Sequence, residues 1–389
     1  MSARTIHPFP ARMAPEIALG AIPARDGEAL TILDPMCGSG TVLSVALERG
    51  HNAIGVDIDP LAVMMSRVTV SHIVPSELSD VGQRVRAATK TVQHTRPWRN
   101  DEETQKFVEF WFAKNQIRDL VALTSAIDAV EDQSLKLALQ VALSRIIVTK
   151  SPQASLAADT SHSRPHRVQY ESDYNVLAGF DRSVTQLVRM LERRNHSGIG
   201  SVSLGDARVL DSVEDASVDL AVTSPPYLNA LDYLRGHRLA LVWFGYTIRE
   251  LRVRRGSSIG AERNPGPECS DAATAMVDVI EDKAADRSQL KRGMLERYAQ
   301  DCLGFAAQLR RTVRPGGKAV IVVGNSTLRG NYIRNDLMTK MAMEQAGFVM
   351  ADRYEREIPP SSRYMAINAR EGSAITKRMR TEVVLTMDA

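Results

Sequence analysis

The sequence predicts an α/β protein: a doubly wound, mostly parallel sheet of seven strands carrying a helical insertion. Three observations predict it. Seven short apolar runs rich in β-branched residues punctuate the chain, most of them separated by helix-patterned segments. A glycine-bearing turn, "DPMCGSGT" at 34–41, joins the first run to the first helical segment. A single long stretch, 75–197, is helix-patterned for most of its length and interrupts the alternation.

The strand candidates are "ALTILD" (29–34), "NAIGVDI" (52–58), "SVSLGD" (201–206), "VDLAVTS" (218–224), "KAVIVVGNS" (318–326), "GFVMADRYE" (347–355) and "TEVVLTM" (381–387). Helical periodicity fills 60–73, 296–313 and 335–347, the last ending on Gly347 as a C-cap. The insertion contributes "DEETQKFVEFWFAKNQIRDLVALTSAIDAV", "SLKLALQVALSRIIVTK" and a helix at 180–195, with a polar connector at 151–167. Its stripe Phe107, Phe110, Trp111 and Phe112 reads as core. Residues 247–293, rich in Gly, Pro and Arg, read as a loop or small subdomain.

At 389 residues the chain has room for two domains, or for one α/β domain with insertions. A net charge of +3 permits nucleic-acid binding without arguing for it, because only local clustering would. Cys37, Cys269 and Cys302 are too dispersed for a disulfide framework or a zinc site. His7, His51, His72 and His94 lack metal-ligand spacing, so packing or surface roles are expected and no metal is. No stretch reaches the roughly 18 apolar residues of a membrane span, and the first residues lack a signal-peptide run. The expected location is the cytoplasm.

Two motifs carry chemistry. Gly38 and Gly40 permit a tight turn and close backbone approach to a ligand, and the helix after them points its N-terminal amides at that ligand. Asp57, at the end of the second strand, stands where doubly wound nucleotide folds place a ribose-binding acid. The third glycine of a dinucleotide fingerprint and the Gly-Lys-Ser/Thr of a phosphate loop are both missing, which disfavours NAD and ATP. The second motif is "TSPPY" at 223–227. Its paired prolines stop the strand and hold Ser224 and the Pro225 carbonyl rigidly as acceptors beside the flat ring of Tyr227. Acceptors beside a stacking ring suit a planar group that bears an amine.

"DPMCGSGT" resembles the S-adenosylmethionine loop of class I methyltransferases, and "TSPPY" resembles the catalytic motif of amino-group DNA methyltransferases. "HPFPARMAPEIA" (7–18) is similar to the segment with which those enzymes complete the cofactor pocket, and "SPPYLNALDYLRGHRLALVWFG" to an extended form of the motif. The similarity covers roughly 1–73, 200–245 and 296–389. It implies a seven-stranded class I methyltransferase catalytic domain (1–74 and 198–389), with 75–197 inserted and 247–293 as a nucleic-acid-recognition segment within the domain.

The cofactor implied is S-adenosyl-L-methionine. Asp34 would bind its methionine end, with Pro35, Cys37, Gly38, Ser39, Gly40 and Thr41 wrapping it. Asp57 would take the ribose hydroxyls, Ile58 would lie near the adenine, and Asp206 would meet the adenine amino group. Phe9 and Arg12 would close the pocket, and Cys37 would pack rather than attack. Ser224, Pro225, Pro226 and Tyr227 would be catalytic, on a base flipped from its stack. Serine at 224, where aspartate or asparagine would suggest adenine, points to cytosine N4 within this family. Methylation at cytosine C5 needs a cysteine nucleophile, and none of the three cysteines follows a proline as that chemistry's motif requires.

The implied activity is therefore modification of DNA of the restriction-modification or a related type, with a cognate restriction endonuclease as a protein partner. Alternatives are an adenine-N6 DNA enzyme, an RNA base N-methyltransferase and, in a different class, a non-catalytic nucleic-acid-binding protein retaining the fold. Intact Gly38, Gly40 and Ser224–Tyr227 argue against the last. Arg249, Arg252, Arg254, Arg255 and Arg263, just beyond the Pro-Pro motif, are expected to contact phosphates.

Overall fold

The computed structural model describes residues 6–7, 13–98, 100–149, 152–158, 160, 165–228, 232–261, 269–281, 291–328, 331–358 and 381–389. The sheet begins with β1 (Thr31–Asp34), flanked in parallel by β2 (Asn52–Asp57) on one side. Helices α1 (Pro15–Ala21), α2 (Thr41–Glu48) and α3 (Pro60–Val70) belong to this first half.

Residues 75–191 then form α4 (Pro75–Ala88), α5 (Glu102–Trp111), α6 (Lys114–Asp128), α7 (Gln133–Ser144), a two-residue ladder of β3 (Ala157–Ala158) with β4 (His166–Arg167), and α8 (Val176–Leu191). The sheet resumes with β5 (Gly200–Leu204) beside β2 and β6 (Val218–Thr223) beside β1, both parallel. After β6 come α9 (Tyr233–Leu241), α10 (Ile248–Ser257), α11 (Asp271–Glu281) and α12 (Arg292–Thr312). The chain closes with β7 (Val313–Gly324), the hairpin of β8 (Ser326–Leu328) and β9 (Asn331–Ile333), α13 (Asn335–Gln345), β10 (Val349–Glu357) and β11 (Thr381–Asp388).

The sheet order is β10-β11-β7-β6-β1-β2-β5, with β11 antiparallel between β7 and β10. This is the doubly wound, mostly parallel seven-stranded sheet predicted from the sequence. Successive residues of its central strands go to opposite faces: Ile32, Leu220 and Val320 pack with α1 and α2, whereas Leu33, Ala221 and Ile321 pack with α11, α12 and α13. A third apolar cluster joins α4–α10 to α3 through Leu61, Met65 and Val68, so the helices of 75–191 share a core with helices of the sheet-bearing part.

One expectation is corrected and one narrowed. Of the loop or small subdomain expected at 247–293, residues 248–257 form a helix, α10: Thr247 and Glu250 form a reciprocal capping box that starts it. Phe110 leaves the stripe, being 49% exposed, while Trp111 and Phe112 are buried. Phe110 instead stacks on the Arg167 guanidinium, 4.9 Å from its ring centre.

The chain runs outward from β1 through β2 to β5, then returns to β6 on the other side of β1. That reversal opens a crevice at the carboxyl ends of β1 and β6, where open α/β sheets bind ligands. The turn leading into it depends on Gly40, whose φ is +82° and whose added Cβ would lie 3.1 Å from Ser66 Oγ. Gly40→Ala is expected to destabilise the fold by about 1–2 kcal/mol, the cost of a left-handed L-residue. Denaturant unfolding tests this; an unmoved midpoint would contradict it.

Candidate functional site

The glycine turn is held from three sides. The Cys37 amide donates to the Val56 carbonyl at 3.0 Å, and Gly40 N–H closes the turn on the Cys37 carbonyl at 2.8 Å. From α3, Ser66 Oγ donates to the Gly38 carbonyl at 2.9 Å and Thr69 Oγ1 to the Ser39 carbonyl at 3.2 Å. From β2, Asp57 Oδ2 accepts the Gly38 amide at 2.8 Å. Gly55 must be glycine for this packing, since a Cβ there would come within 2.7 Å of Leu43 and 3.1 Å of Cys37 Sγ. Pro35, Cys37, Ser39 and Gly40 are buried in the turn, and Thr41 opens α2 behind it. Burial pushes the Cys37 thiol well above its ordinary range, so it packs as a neutral group.

Asp57 also accepts the Asp59 amide on Oδ1 at 2.9 Å, and Ile58 lies between the two acids, partly exposed. Asp59 caps α3, taking the Leu61 amide at 2.9 Å. At the other end of α3, Arg194 donates to the Val68 and Thr69 carbonyls, each at 2.8 Å. Burial, then the charge of Asp59, push the Asp57 carboxyl up to about 7, against the two amide bonds and His237. An ionised carboxylate has about four lone-pair positions, so two remain for hydroxyl donors of a ligand.

Asp34 stands at the end of β1 with its side chain turned inward. Its Oδ1 accepts Thr223 Oγ1 at 2.8 Å and the Met36 amide at 3.2 Å. This bond ties the cofactor-type turn directly to the strand that carries the Pro-Pro motif. Burial dominates and raises the Asp34 carboxyl to about 7, with a further push from Asp57.

Beyond Thr223, Ser224 Oγ donates to the Val322 carbonyl of β7 at 3.1 Å. With its proton committed there, the hydroxyl presents lone pairs as an acceptor. Tyr227 OH lies 3.4 Å from Ser224 Oγ, and the Tyr227 ring is pressed on Gly324, where a Cβ would come within 2.6 Å of it. Burial raises this phenol to about 12, keeping it neutral. The Pro226 carbonyl accepts Tyr298 OH at 3.2 Å, and Pro225 is buried. The structure thus brings Asp34, the 37–41 turn, Asp57, Ile58 and Ser224–Tyr227 to neighbouring strand ends.

Asp206 lies two residues past β5 but is committed elsewhere. Arg208 Nε and the Arg208 amide both donate to its Oδ1 at 2.9 Å. This pairing outweighs burial and lowers the Asp206 carboxyl below its usual range. Arg208 also reaches Asp301 of α12 and the Ser257 carbonyl at the end of α10. On α10, Arg252 pairs with Glu103 of α5 and Arg255 with Asp232. Arg249 and Arg254 share that helix, whereas Phe9, Arg12 and Arg263 lie outside the described residues. Sequence reading missed Thr223, Ser66, Thr69, Arg208 and the buried contact of His237 Nδ1 with Asp59 Oδ2 at 2.6 Å. Thr223 alone had a signal, as the first letter of the motif.

No family model matches the sequence. The chain is 23% identical over 384 residues to the type II methyltransferase M.MvaI of Kocuria varians, covering 91% of this chain and 83% of that one. It is 23% identical over 378 residues to the type II methyltransferase M.BsoBI of Geobacillus stearothermophilus, covering 82% and 73%. A solved TehB-like SAM-dependent methyltransferase from Corynebacterium glutamicum aligns over 96% of this chain and 86% of its own at 10% identity and a TM-score of 0.31.

The electrostatics of Asp34 give a sign that can be checked. Its folded pKa of about 7 lies above its unfolded value, so ionisation opposes folding. Its contribution to stability is complete below about pH 4 and is lost as pH rises through about 7. The ligand-free wild type should therefore lose stability relative to Asp34→Asn over that window, and the Asp34 carboxyl carbon should titrate near 7 by NMR. A midpoint near 4 with a flat stability difference would contradict it.

Proposed function

We propose that this chain transfers a methyl group from S-adenosylmethionine to the exocyclic amine of a DNA base, with cytosine N4 as the target. One observation carries the reading: the Thr223–Asp34 hydrogen bond at 2.8 Å joins the glycine turn to the Ser-Pro-Pro-Tyr segment, so a cofactor site and an amine-acceptor site share one crevice. The similarity to two type II methyltransferases supports its methyl-transfer part.

The described residues fit the cofactor. The turn carries no side chain at Gly38 or Gly40, and Asp57 keeps acceptor capacity for ribose hydroxyls. Pro35, Cys37, Ser39 and Thr41 shape the turn, Ile58 borders the adenine side, and Asp34, which braces the turn through Met36, meets the methionine end of the cofactor. Asp206 reaches adenine only with acceptor positions that Arg208 leaves open. Phe9 and Arg12 remain the proposed closure. When bound, the cofactor supplies a methyl already activated on a sulfonium.

The chain's own task is to sharpen and aim the amine. An exocyclic amine is a poor nucleophile because its lone pair is delocalised into the ring. Ser224 Oγ, its proton fixed on Val322, and the Pro225 carbonyl accept the two N–H bonds and localise that lone pair toward the methyl. Pro225 and Pro226 keep these acceptors rigid, which is catalysis by positioning. Tyr227, its ring pressed on Gly324, is the group proposed to stack on the base. The base must be flipped to arrive there.

DNA outside the flipped base meets the 247–293 segment in this reading, with Arg249, Arg252, Arg254 and Arg255 of α10 and Arg263 as phosphate contacts. Glu103 and Asp232 hold Arg252 and Arg255 meanwhile. Residues 1–74 and 198–389 form the catalytic unit, 75–197 is its insertion, and a restriction endonuclease is the implied protein partner.

The test is to incubate DNA and RNA separately with labelled cofactor and identify the modified nucleoside. N4-methylcytosine in DNA is expected. N6-methyladenine, or label in RNA alone, would replace the target by one of the alternatives, and no transfer would favour a binding protein. Ser224→Ala should cut transfer strongly while cofactor affinity holds; wild-type turnover would remove Ser224 from the mechanism.

A further inference from the structure

Beyond the strand ends, one buried polar contact joins the two halves of the site. His237 lies on α9, the helix that follows the Ser-Pro-Pro-Tyr segment, and is 1% exposed. Its Nδ1 meets Asp59 Oδ2 at 2.6 Å, with both side chains at or below 7% exposure. The two residues are 178 positions apart, so folding alone unites them.

Among the described residues, Asp59 gives each of its groups a separate partner. Oδ1 caps α3 through the Leu61 amide, Oδ2 takes His237, and its own amide donates to Asp57 Oδ1. Asp57 in turn grips Gly38. The chain of contacts therefore runs α9, His237, Asp59, Asp57, Gly38. Without a donor at Oδ2, the buried carboxylate would retain, among the described residues, only the Leu61 amide and would draw water or shift, taking the Asp59 amide away from Asp57.

We propose that His237 is a positioning residue for the cofactor acid: acting through Asp59, it holds Asp57 in place and locks the α9 end of the catalytic segment to the cofactor turn. The inference rests on the proposed cofactor role of Asp57. Tyr233, one turn earlier on α9, has its ring centre 6.5 Å from the imidazole and flanks the contact.

Substitutions that move the donor by one bond separate this role from mere space-filling. The amide of asparagine reaches the position of Nδ1, whereas that of glutamine reaches the position of Nε2. S-adenosylmethionine binding by calorimetry is expected to stay within about twofold of wild type for His237→Asn and to weaken about tenfold for His237→Gln and His237→Leu. The loss should appear in KM for the cofactor rather than in kcat, at thermal unfolding temperatures shared by the Asn and Gln variants. Equal affinity for Asn and Gln, or wild-type affinity for Leu, would overturn the assignment. If His237→Leu does not fold, the Asn–Gln pair decides. A wild-type chain that binds no S-adenosylmethionine would overturn the underlying function instead, a separate result.

Discussion

The site hangs on one carboxylate. Asp57 accepts an amide from the glycine turn on one oxygen and an amide from the N-terminus of α3 on the other, and so fixes three chain segments at a single point. Burying it is unfavourable, as its rise to about 7 shows. The protein tolerates this because each bond does a second job: Gly38 shapes the turn, and Asp59 begins the helix that braces it through Ser66 and Thr69. With two amides accepted, the Asp57 carboxylate still has acceptor positions open.

The same economy sets where chemistry can happen. The topological reversal between β1 and β6 creates the crevice, and Thr223 to Asp34 locks its walls together. Both partners sit on the ends of buried parallel strands, whose ladder bonds leave little freedom. Ser224 gains its acceptor character the same way, by giving its proton to the Val322 carbonyl of the neighbouring strand. A transfer reaction that depends on alignment is served by groups mounted on the sheet rather than on long loops. The helices of 75–191 contribute indirectly, sharing the apolar cluster that seats α3 and α9.

What the sequence discloses follows the range of each interaction. The sheet, the turn and the Ser-Pro-Pro-Tyr segment were legible because period, glycine and proline act within a few residues. α10 was readable from Thr247 and Glu250, yet the Gly, Pro and Arg of 247–293 left a loop and a small subdomain both open. Asp206 was placed at the correct strand end, but Arg208, two residues on, occupies its carboxylate in a way that position alone does not disclose. Phe110 shows the limit of an aromatic stripe, because helix rotation turns one of its four members to solvent. The His237–Asp59 contact had no local trace, since each residue's meaning lies in the other.

The most direct measurement is a calorimetric titration of S-adenosylmethionine into the wild type and into Asp57→Ala, with circular dichroism to verify that the variant keeps its fold. The account predicts measurable binding to the wild type and a loss on the order of 1.5–3 kcal/mol in the variant, the value of hydrogen bonds to a charged group. Equal affinity in a folded Asp57→Ala protein would contradict it, because the carboxylate at the centre of the site would then have no part in holding the cofactor.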